Sequence, residues 1–176
     1  MLDLGCGDGE LLAELAEKRG VRSTGIELSE ESVVKAVKRG LSVHHGNIEE
    51  GMDHYSDGTF DVVILSLAIQ ELHAPLDVLN EAFRIGKQVL IVFPNFGYWR
   101  ARWQMAVGGH APCTPSFPYS WFDSPNRHFF TVMDWEDVRA RQNWKVVCRA
   151  FLTHGARISW LPNLRSEVAL YLMEEQ

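Results

Sequence analysis

Short apolar runs alternate with amphipathic stretches along the first half of the chain. The runs predict strands over 1–4, 22–27, 41–45, 60–66 and 88–93. Between them, apolar side chains recur at the spacing of a helix face, and glycines or a proline mark helix ends. Strands that alternate with helices in this way are typical of a parallel sheet with helices on both faces.

The alternation stops near residue 94. Residues 94–133 hold five prolines and many aromatic side chains. Only one short helix is predicted there, over 99–107. We interpret 94–133 as an insert or lid that follows the fifth strand.

The regular pattern returns with a helix over 134–141 and strands over 145–153 and 167–173. The connection between these two strands, 154–166, is short and lacks a strong helix pattern, so we expect them to be antiparallel. The sequence therefore predicts one Rossmann-like, doubly wound α/β domain over 1–176. Its mostly parallel sheet has about seven strands, the last of them antiparallel. Because the first strand begins at residue 1, we expect the true start to lie upstream.

Composition narrows the class of protein. The net charge of −6 disfavours nucleic acid as the main partner, because phosphate binding needs a basic surface. No apolar run is long enough for a membrane span, and the first residues lack the pattern of a secretion signal, so we expect a protein that is neither membrane-spanning nor secreted. Three scattered cysteines fit a reducing cytoplasm. No histidine falls into a metal-ligand spacing with them, so no metal site is predicted.

A glycine-rich turn joins the first strand to the first helix. Gly5, Gly7 and Gly9 permit positive φ and let a ligand approach the backbone closely. Carboxylates surround the turn at Asp3, Asp8 and Glu10. They would repel a pyrophosphate and suit a ligand with an ammonium and a sulfonium group. The spacing GxGxG also differs from the dinucleotide pattern GxGxxG.

Later strand ends supply further candidates. Glu27 lies about twenty residues on, where an acidic side chain accepts the ribose hydroxyls of a nucleoside. After the third strand, Asn47 is positioned for an adenine amine and Ile48 for its ring. Each residue also has a structural interpretation, because Asn47 is a good turn residue and Glu27 could be a solvated strand end.

The other loop residues have structural interpretations as well. Asp8 is as well suited to capping the helix as to touching a ligand. Asp3 could hydrogen-bond loop amides. Cys6 is expected to pack as a small side chain, since nothing indicates a nucleophile.

These motifs resemble a known family. LDLGCGDGELL (2–12), GIELS (25–29), GNIEE (46–50) and FDVVILS (60–66) resemble the first four motifs of class I S-adenosylmethionine (SAM)-dependent methyltransferases. The segments FPNFGYWRARWQ (93–104) and PYSWFDSPNRHFFTV (118–132) extend the likeness over nearly the whole chain. The chain is similar there to the MetW family of methionine biosynthesis proteins.

The resemblance implies a cofactor, a partner and a set of binding residues. The cofactor is SAM, and the partner is a homoserine O-acyltransferase of the MetX type, whose formation of O-acylhomoserine the protein would support. The residues expected to bind SAM are Asp3, Gly5, Cys6, Gly7, Glu27, Leu28, Asn47, Ile48 and Ser66. The family's usual acidic residue in the third motif is replaced here by Asn47.

Catalysis has weaker support in the sequence. A methyl acceptor should lie beyond the fourth and fifth strands, where Gln70, Glu71, His73 and Asn95 are candidates. For Glu71 and His73 we favour a polar side chain on the protein surface or a helix cap. No general base is evident, so the catalytic residues are unknown. Two functions stay open: a SAM-binding partner of the acyltransferase, and a methyltransferase acting on a small-molecule acceptor.

The insert has two main interpretations, and a third, nucleic-acid binding, is disfavoured by the acidic net charge. Its aromatic residues are interleaved with arginines, and half or more of them are expected to form a small extra core. Otherwise they form a lid or a protein-docking surface, since aromatic residues and arginine anchor interfaces. The aromatic residues considered are Tyr98, Trp99, Trp103, Tyr119, Trp121, Phe122, Phe129 and Phe130.

Overall fold

An eight-stranded sheet forms the centre of the computed structural model, which describes residues 1–175. The strands at the centre of the sheet contain runs of buried apolar side chains, as expected of strands that are covered on both faces. In chain order the strands are β1 (Leu2–Leu4), β2 (Thr24–Glu27), β3 (Ser42–His45), β4 (Phe60–Ser66), β5 (Gly86–Pro94), β6 (Lys145–Thr153), β7 (Ala156–Ile158) and β8 (Val168–Glu174).

Six helices connect the strands, and none of those within residues 1–175 is long and apolar enough to cross a bilayer. Local sequence fixes their ends. Gly20 ends the first helix in a left-handed conformation, Ser29 accepts from the amide of Ser32 to start the second, and Thr131 forms a capping box with Asp134. The helices are α1 (Glu10–Arg19), α2 (Glu30–Lys38), α3 (Pro75–Ile85), α4 (Trp99–Ala106), α5 (Val132–Arg141) and α6 (Pro162–Arg165).

Strand order creates a ligand-binding position. The order is β3-β2-β1-β4-β5-β8-β6-β7, and β1 to β5 are parallel. The chain runs outward in one direction from β1 to β3 and in the other from β4 to β5. Open α/β sheets bind ligands at such a reversal, beyond the carboxyl ends of the strands. Here that point lies above β1 and β4, where the glycine-rich turn begins.

The far end of the sheet confirms one prediction and adds a strand. β8 lies between β5 and β6 and is antiparallel to both, as expected for the last strand. The connection 154–166, however, contains the short strand β7 and the four-residue helix α6. His154 and Gly155 both have positive φ, 49° and 76°, which is the geometry of a two-residue hairpin turn. The sheet therefore has eight strands rather than seven.

The insert does not form the extra core that its aromatic residues suggested. Tyr98 is buried and Phe130 packs against the main core beside Phe93. The other six aromatic residues are exposed, with Trp121 reaching 80%. The reason is structural: apart from α4, residues 95–131 contribute only an isolated bridge between Thr114 and Phe117, and so no second layer covers these rings.

Candidate functional site

The glycine-rich turn is held against the end of β2. The amides of Gly5 and Cys6 both donate to the carbonyl of Ile26, at 2.9 and 3.2 Å. Gly5, Gly7 and Gly9 all have positive φ, at 76°, 55° and 79°. The turn therefore needs three left-handed residues within five positions, which only glycine adopts without strain.

Two of these glycines face different surroundings. A Cβ on Gly9 would lie 2.3 Å from the side chain of Leu41 and 3.2 Å from that of Ala36. The glycine therefore allows the start of α1 to pack closely against α2 and Leu41. A Cβ on Gly7 would meet nothing within 4 Å. Gly7 thus leaves open space above the turn, where a ligand can approach the backbone.

Glu27 ties the turn to the start of the second helix. One carboxylate oxygen accepts from the amide of Gly7 and the other from the amide of Ser29, both at 2.8 Å. Each oxygen keeps a further lone pair for a ligand hydroxyl. The carboxylate is thereby fixed at the carboxyl end of β2, on the wall of the crevice.

A crevice of about 740 Å³ opens above the strand ends. Its walls carry acidic, polar and apolar groups, and none of the described residues that line it is basic. The lining residues are Gly5, Gly7, Ile26, Glu27, Leu28, Ser29, Ser32, Gly46, Asn47, Ile48, Glu49, Leu67, Ala68, Glu71, Leu72 and Tyr119. Such a surface suits a neutral or positively charged ligand.

Six of the nine residues predicted to bind cofactor line this crevice, namely Gly5, Gly7, Glu27, Leu28, Asn47 and Ile48. The other three lie outside its lining. Asp3 and Cys6 are buried beneath the turn. Ser66 is the last residue of β4, and the chain turns into the crevice at the next residue, Leu67, with a φ of 57°.

Asp3 carries a buried carboxyl directly under the turn. Its side chain is 1% exposed, and one of its oxygens has no hydrogen-bond partner within residues 1–175. Burial, with a smaller contribution from the Glu27 carboxylate, raises the pKa of Asp3 to about 7. The expectation that Asp3 hydrogen-bonds loop amides is therefore wrong for this oxygen.

Cys6 packs as a small side chain. Its sulfur occupies the space beside Gly25, where a Cβ would lie 2.4 Å from it. Burial and then the carboxylates of Asp3 and Glu27 raise the pKa of the thiol to about 12. The thiol therefore stays protonated at neutral pH and is a poor nucleophile.

Hydrogen bonds and ion pairs show which structural roles Asp8 and Asn47 have. Asp8 does not cap α1, whose N-cap is Gly9 without a side-chain bond. It forms an ion pair with Arg39 at 2.8 Å. Asn47 caps a short 3₁₀ helix by accepting from the amide of Glu49 at 3.0 Å and also lines the crevice. Its turn role and a ligand role are compatible.

The residues after β4 differ in their suitability as acceptor-side groups. Asn95 is fully buried, donates to Asn163 and Ser166 and accepts from the amides of Gly97 and Val132. Asn95 is therefore a structural residue, and not the acceptor-side group that the sequence suggested. His73 is outside the crevice lining, as is Gln70, which is 4% exposed.

Glu71 is the acidic residue of this region that faces the crevice. Within the described chain its carboxylate has no hydrogen bond or ion pair. Burial and the nearby Glu27 raise the pKa of Glu71. Glu71 is exposed, as the surface interpretation expects, and it also contributes to the crevice wall.

Some crevice residues escaped the sequence analysis. Ser32 lies in the first turn of α2, directly after the recognised motif, and Ser29 is the last residue of that motif and the N-cap of α2. Their place in the lining could have been inferred from Glu27. Tyr119 comes from the insert and lies some fifty residues after Leu72, the preceding residue of the lining. No local pattern links it to the crevice, because that contact depends on how the insert folds over the sheet.

Comparisons with known proteins identify the family of the chain. The family model described as "Methionine biosynthesis protein MetW" matches residues 1–173. A bifunctional methionine biosynthesis protein MetXA/MetW of Rhodopirellula baltica is 32% identical over 97% of this chain. The chain spans only 29% of the length of that relative.

Solved structures share the fold at low sequence identity. A SAM-dependent methyltransferase of Archaeoglobus fulgidus has a TM-score of 0.71 and 16% identity, with 99% of this chain and 85% of that chain covered. Another, from Thermotoga maritima, has a TM-score of 0.68 and 19% identity, with 99% and 81% covered. The fold is that of class I methyltransferases, and the chain belongs to the MetW family.

Proposed function

We propose that this chain binds SAM in the crevice and acts with a homoserine O-acyltransferase to support O-acylhomoserine formation in methionine biosynthesis. This proposal has a cofactor half, the binding of SAM, and a partner half, the association with the acyltransferase. The observation that supports the cofactor half is the Glu27 carboxylate, fixed by the amides of Gly7 and Ser29 on the wall of an acidic crevice. The partner half rests on the family and on the fused MetXA/MetW relative.

The residues present fit SAM in shape. Open space above Gly7 allows a ligand to lie against the turn, and Asn47 and Ile48 offer an amide and an apolar surface at the end of β3. Glu27 would hold the ribose hydroxyls and Asn47 with Ile48 the adenine. When bound, SAM would supply an activated methyl group or serve as a signal of methionine supply.

The residues also fit SAM in charge. Asp3 lies beneath the turn and keeps one buried oxygen without a hydrogen-bond partner, so a cation bound above the turn would favour its ionised form. Glu27, Glu49 and Glu71 add negative charge to the lining, without a basic side chain among them. A pyrophosphate would be repelled, whereas the sulfonium and ammonium groups of SAM would be attracted.

Calorimetry with two adenosine ligands tests the cofactor half. We expect SAM to bind, and ATP, which shares its nucleoside, to show no binding because its phosphates meet the acidic wall. Binding of ATP with similar affinity, or no binding of SAM, would contradict the assignment.

The partner half has support on a separate surface. Trp160 is 66% exposed between β7 and α6, and Arg165 stacks over its ring at 5.7 Å. Trp99, which is also exposed, lines one shallow depression with Arg165 and carries Arg100 over its ring at 5.4 Å. Neither arginine has an ion pair within residues 1–175. This surface, Trp99, Arg100, Trp160 and Arg165, is called the Trp–Arg surface below.

The Trp–Arg surface suits an acidic protein face. Aromatic residues and arginine are the usual anchors of protein interfaces, and the surface is basic on a chain with a net charge of −6. We propose that the acyltransferase binds here. Its fusion to a MetW part in the relative is consistent with a lasting association of the two proteins.

Co-purification with a homoserine O-acyltransferase from the same cell tests this half. We expect the acyltransferase to be retained by the wild-type chain and by Phe122→Ala, an exposed aromatic residue of the insert outside the Trp–Arg surface. We expect Trp160→Ala combined with Arg165→Ala to lose it while SAM binding persists. Acyltransferase activity, measured with and without the chain, should rise only when the two proteins associate.

A second function, methyl transfer to a small molecule, is favoured by one observation. A cavity of about 370 Å³ inside the insert shares Tyr119 with the crevice. A ligand there would approach the crevice from the acceptor side. Incubation of the pure protein and isotopically labelled SAM with a cell extract tests this function. Labelled product that depends on the protein would support it, and its absence leaves the partner role as the better account.

A further inference from the structure

The insert contains a cavity whose wall is almost entirely aromatic and apolar. Phe96, Phe117 and Phe129 pack edge-to-face or tilted around it, with ring centroids 5.1 to 5.4 Å apart. Met105, Tyr119 and Trp121 extend this wall, and Ser124 and Asn126 add polar side chains to the hydroxyl of Tyr119 and the indole N–H of Trp121. No charged residue lines it within the described chain. We call it the aromatic cavity.

The size of the aromatic cavity suits a small ligand. Its volume of about 370 Å³ is near the lower end of the range that small-molecule sites occupy, roughly 300–1,000 Å³. Convergent aromatic rings offer both apolar contact and attraction for a cation. A compact aromatic or branched aliphatic group would fit, and a long chain would not.

Tyr119 connects the aromatic cavity to the crevice because it lines both. On the crevice side, Glu71 presents a carboxylate without a hydrogen bond or ion pair in the described chain. Of the other lining carboxylates, Glu27 accepts from backbone amides with both oxygens and Glu49 with one. Glu71 is thus the acid of the crevice lining whose two oxygens are both without a hydrogen-bond partner in the described chain.

We propose that the aromatic cavity and Glu71 together form a site for a small apolar amine, with the apolar body among the insert rings and the ammonium group toward Glu71. The site lies beside the proposed SAM position, and in that one respect it rests on the proposed function. Its ligand would be either a methyl acceptor or an effector whose binding is coupled to that of SAM.

Three probes with the same phenyl body separate the parts of this proposal. Phenethylamine carries a cation, phenethyl alcohol a neutral group and hydrocinnamate an anion. Calorimetry with the full chain should give the tightest binding for phenethylamine, about tenfold tighter than the alcohol, as one charge-assisted hydrogen bond allows. Hydrocinnamate should bind more weakly than the alcohol. Equal affinities for the three would overturn the role of Glu71.

Two variants locate the site. Glu71→Gln should reduce phenethylamine affinity to that of the alcohol, whereas Glu17→Gln, an exposed acid on α1, should leave the difference intact. Tyr119→Ala should weaken all three probes several-fold, whereas Phe122→Ala, an exposed ring that does not line the aromatic cavity, should not. Unchanged binding in Tyr119→Ala would place the probe elsewhere and overturn the proposal.

Titration of S-adenosylhomocysteine (SAH) into the same wild-type sample separates this proposal from the proposed function. Binding of SAH without binding of phenethylamine removes the amine site and leaves the cofactor site. Binding of phenethylamine with the predicted variant pattern, but no binding of SAH, supports the amine site and removes the cofactor assignment.

Discussion

The carboxylate of Glu27 adds to burial in raising the pKa of Asp3 to about 7. The two acids lie on adjacent parallel strands, Asp3 in the middle of β1 and Glu27 at the end of β2, and of the two only Glu27 lines the crevice. Asp3 is thus a carboxyl that the fold stabilises in its neutral form and that a nearby cation would ionise.

Stability should therefore depend on pH through Asp3. The pKa in the folded state lies above the ordinary value of 3.8, so the folded state binds the proton more tightly than the unfolded chain. This favours folding below about pH 4, and the contribution is lost as pH rises toward 7, with an upper bound of about 4 kcal/mol. Denaturant titrations of wild type and Asp3→Asn over this range should show a flatter pH dependence for the variant. Asp137→Asn, an exposed acid on α5, should behave as wild type; identical slopes for Asp3→Asn would contradict the assignment.

Alanine variants of two glycines in the turn should separate effects on protein stability from effects on ligand binding. In Gly9→Ala the new methyl group would overlap Leu41 at a φ of 79°, so unfolding free energy should fall by about 2 to 4 kcal/mol. In Gly7→Ala the methyl group meets no protein atom, and only the backbone strain of about 1 kcal/mol remains. That variant should fold but bind SAH at least tenfold more weakly. Thermal unfolding and calorimetry on both proteins check the contrast, and undiminished SAH binding by Gly7→Ala would show that the ligand does not lie over the turn.

Asn95 should behave as a structural residue. Its amide connects the end of β5 to α6, to the start of α5 and to Gly97 in the insert. Asn95→Ala would leave several buried backbone groups without partners, at a cost of about 3 kcal/mol. Urea titration should show that loss, with Asn80→Ala on the exposed side of α3 close to wild type. A stable Asn95→Ala that has lost only ligand binding would instead favour a direct role.

Cysteine reactivity provides a test of the buried turn. Cys113 and Cys148 are exposed, whereas Cys6 is buried with a pKa of about 12. Iodoacetamide at pH 8 should therefore alkylate two thiols in the native protein and three after denaturation, as counted by mass spectrometry. Rapid modification of native Cys6 would mean that the turn is open to solvent.

The sequence was sufficient to predict the parts of the fold that local patterns encode. Buried strands such as Phe60–Ser66 and the glycine-rich turn after the first strand follow from periodicity and from the residue types next to one another in the chain. The antiparallel β8 followed from the short connection before it. The strand β7 was missed because three residues after a His154–Gly155 turn give too little periodicity, although that turn itself was a usable signal.

The sequence predicted the residues on the proposed SAM side of the crevice better than those on the opposite side. Glu27, Asn47 and Ile48 follow strand ends, and parallel topology brings such ends together. Glu71 and Tyr119 reach the crevice through the irregular segment after β4 and through the insert. Their positions depend on tertiary packing, which hydrophobic patterning does not encode.

The central claim is that Glu27 holds the ribose hydroxyls of an adenosine ligand in the crevice. The affinity of two variants for SAH, which has the same nucleoside as SAM, tests it most directly. Calorimetry should show Glu27→Gln binding SAH at least tenfold more weakly than wild type, because a charge-assisted hydrogen bond contributes about 1.5 to 3 kcal/mol. Glu31→Gln, which removes an exposed acid paired with Lys35 on the adjoining helix, should match wild type. Equal SAH affinity in Glu27→Gln and wild type would contradict the account.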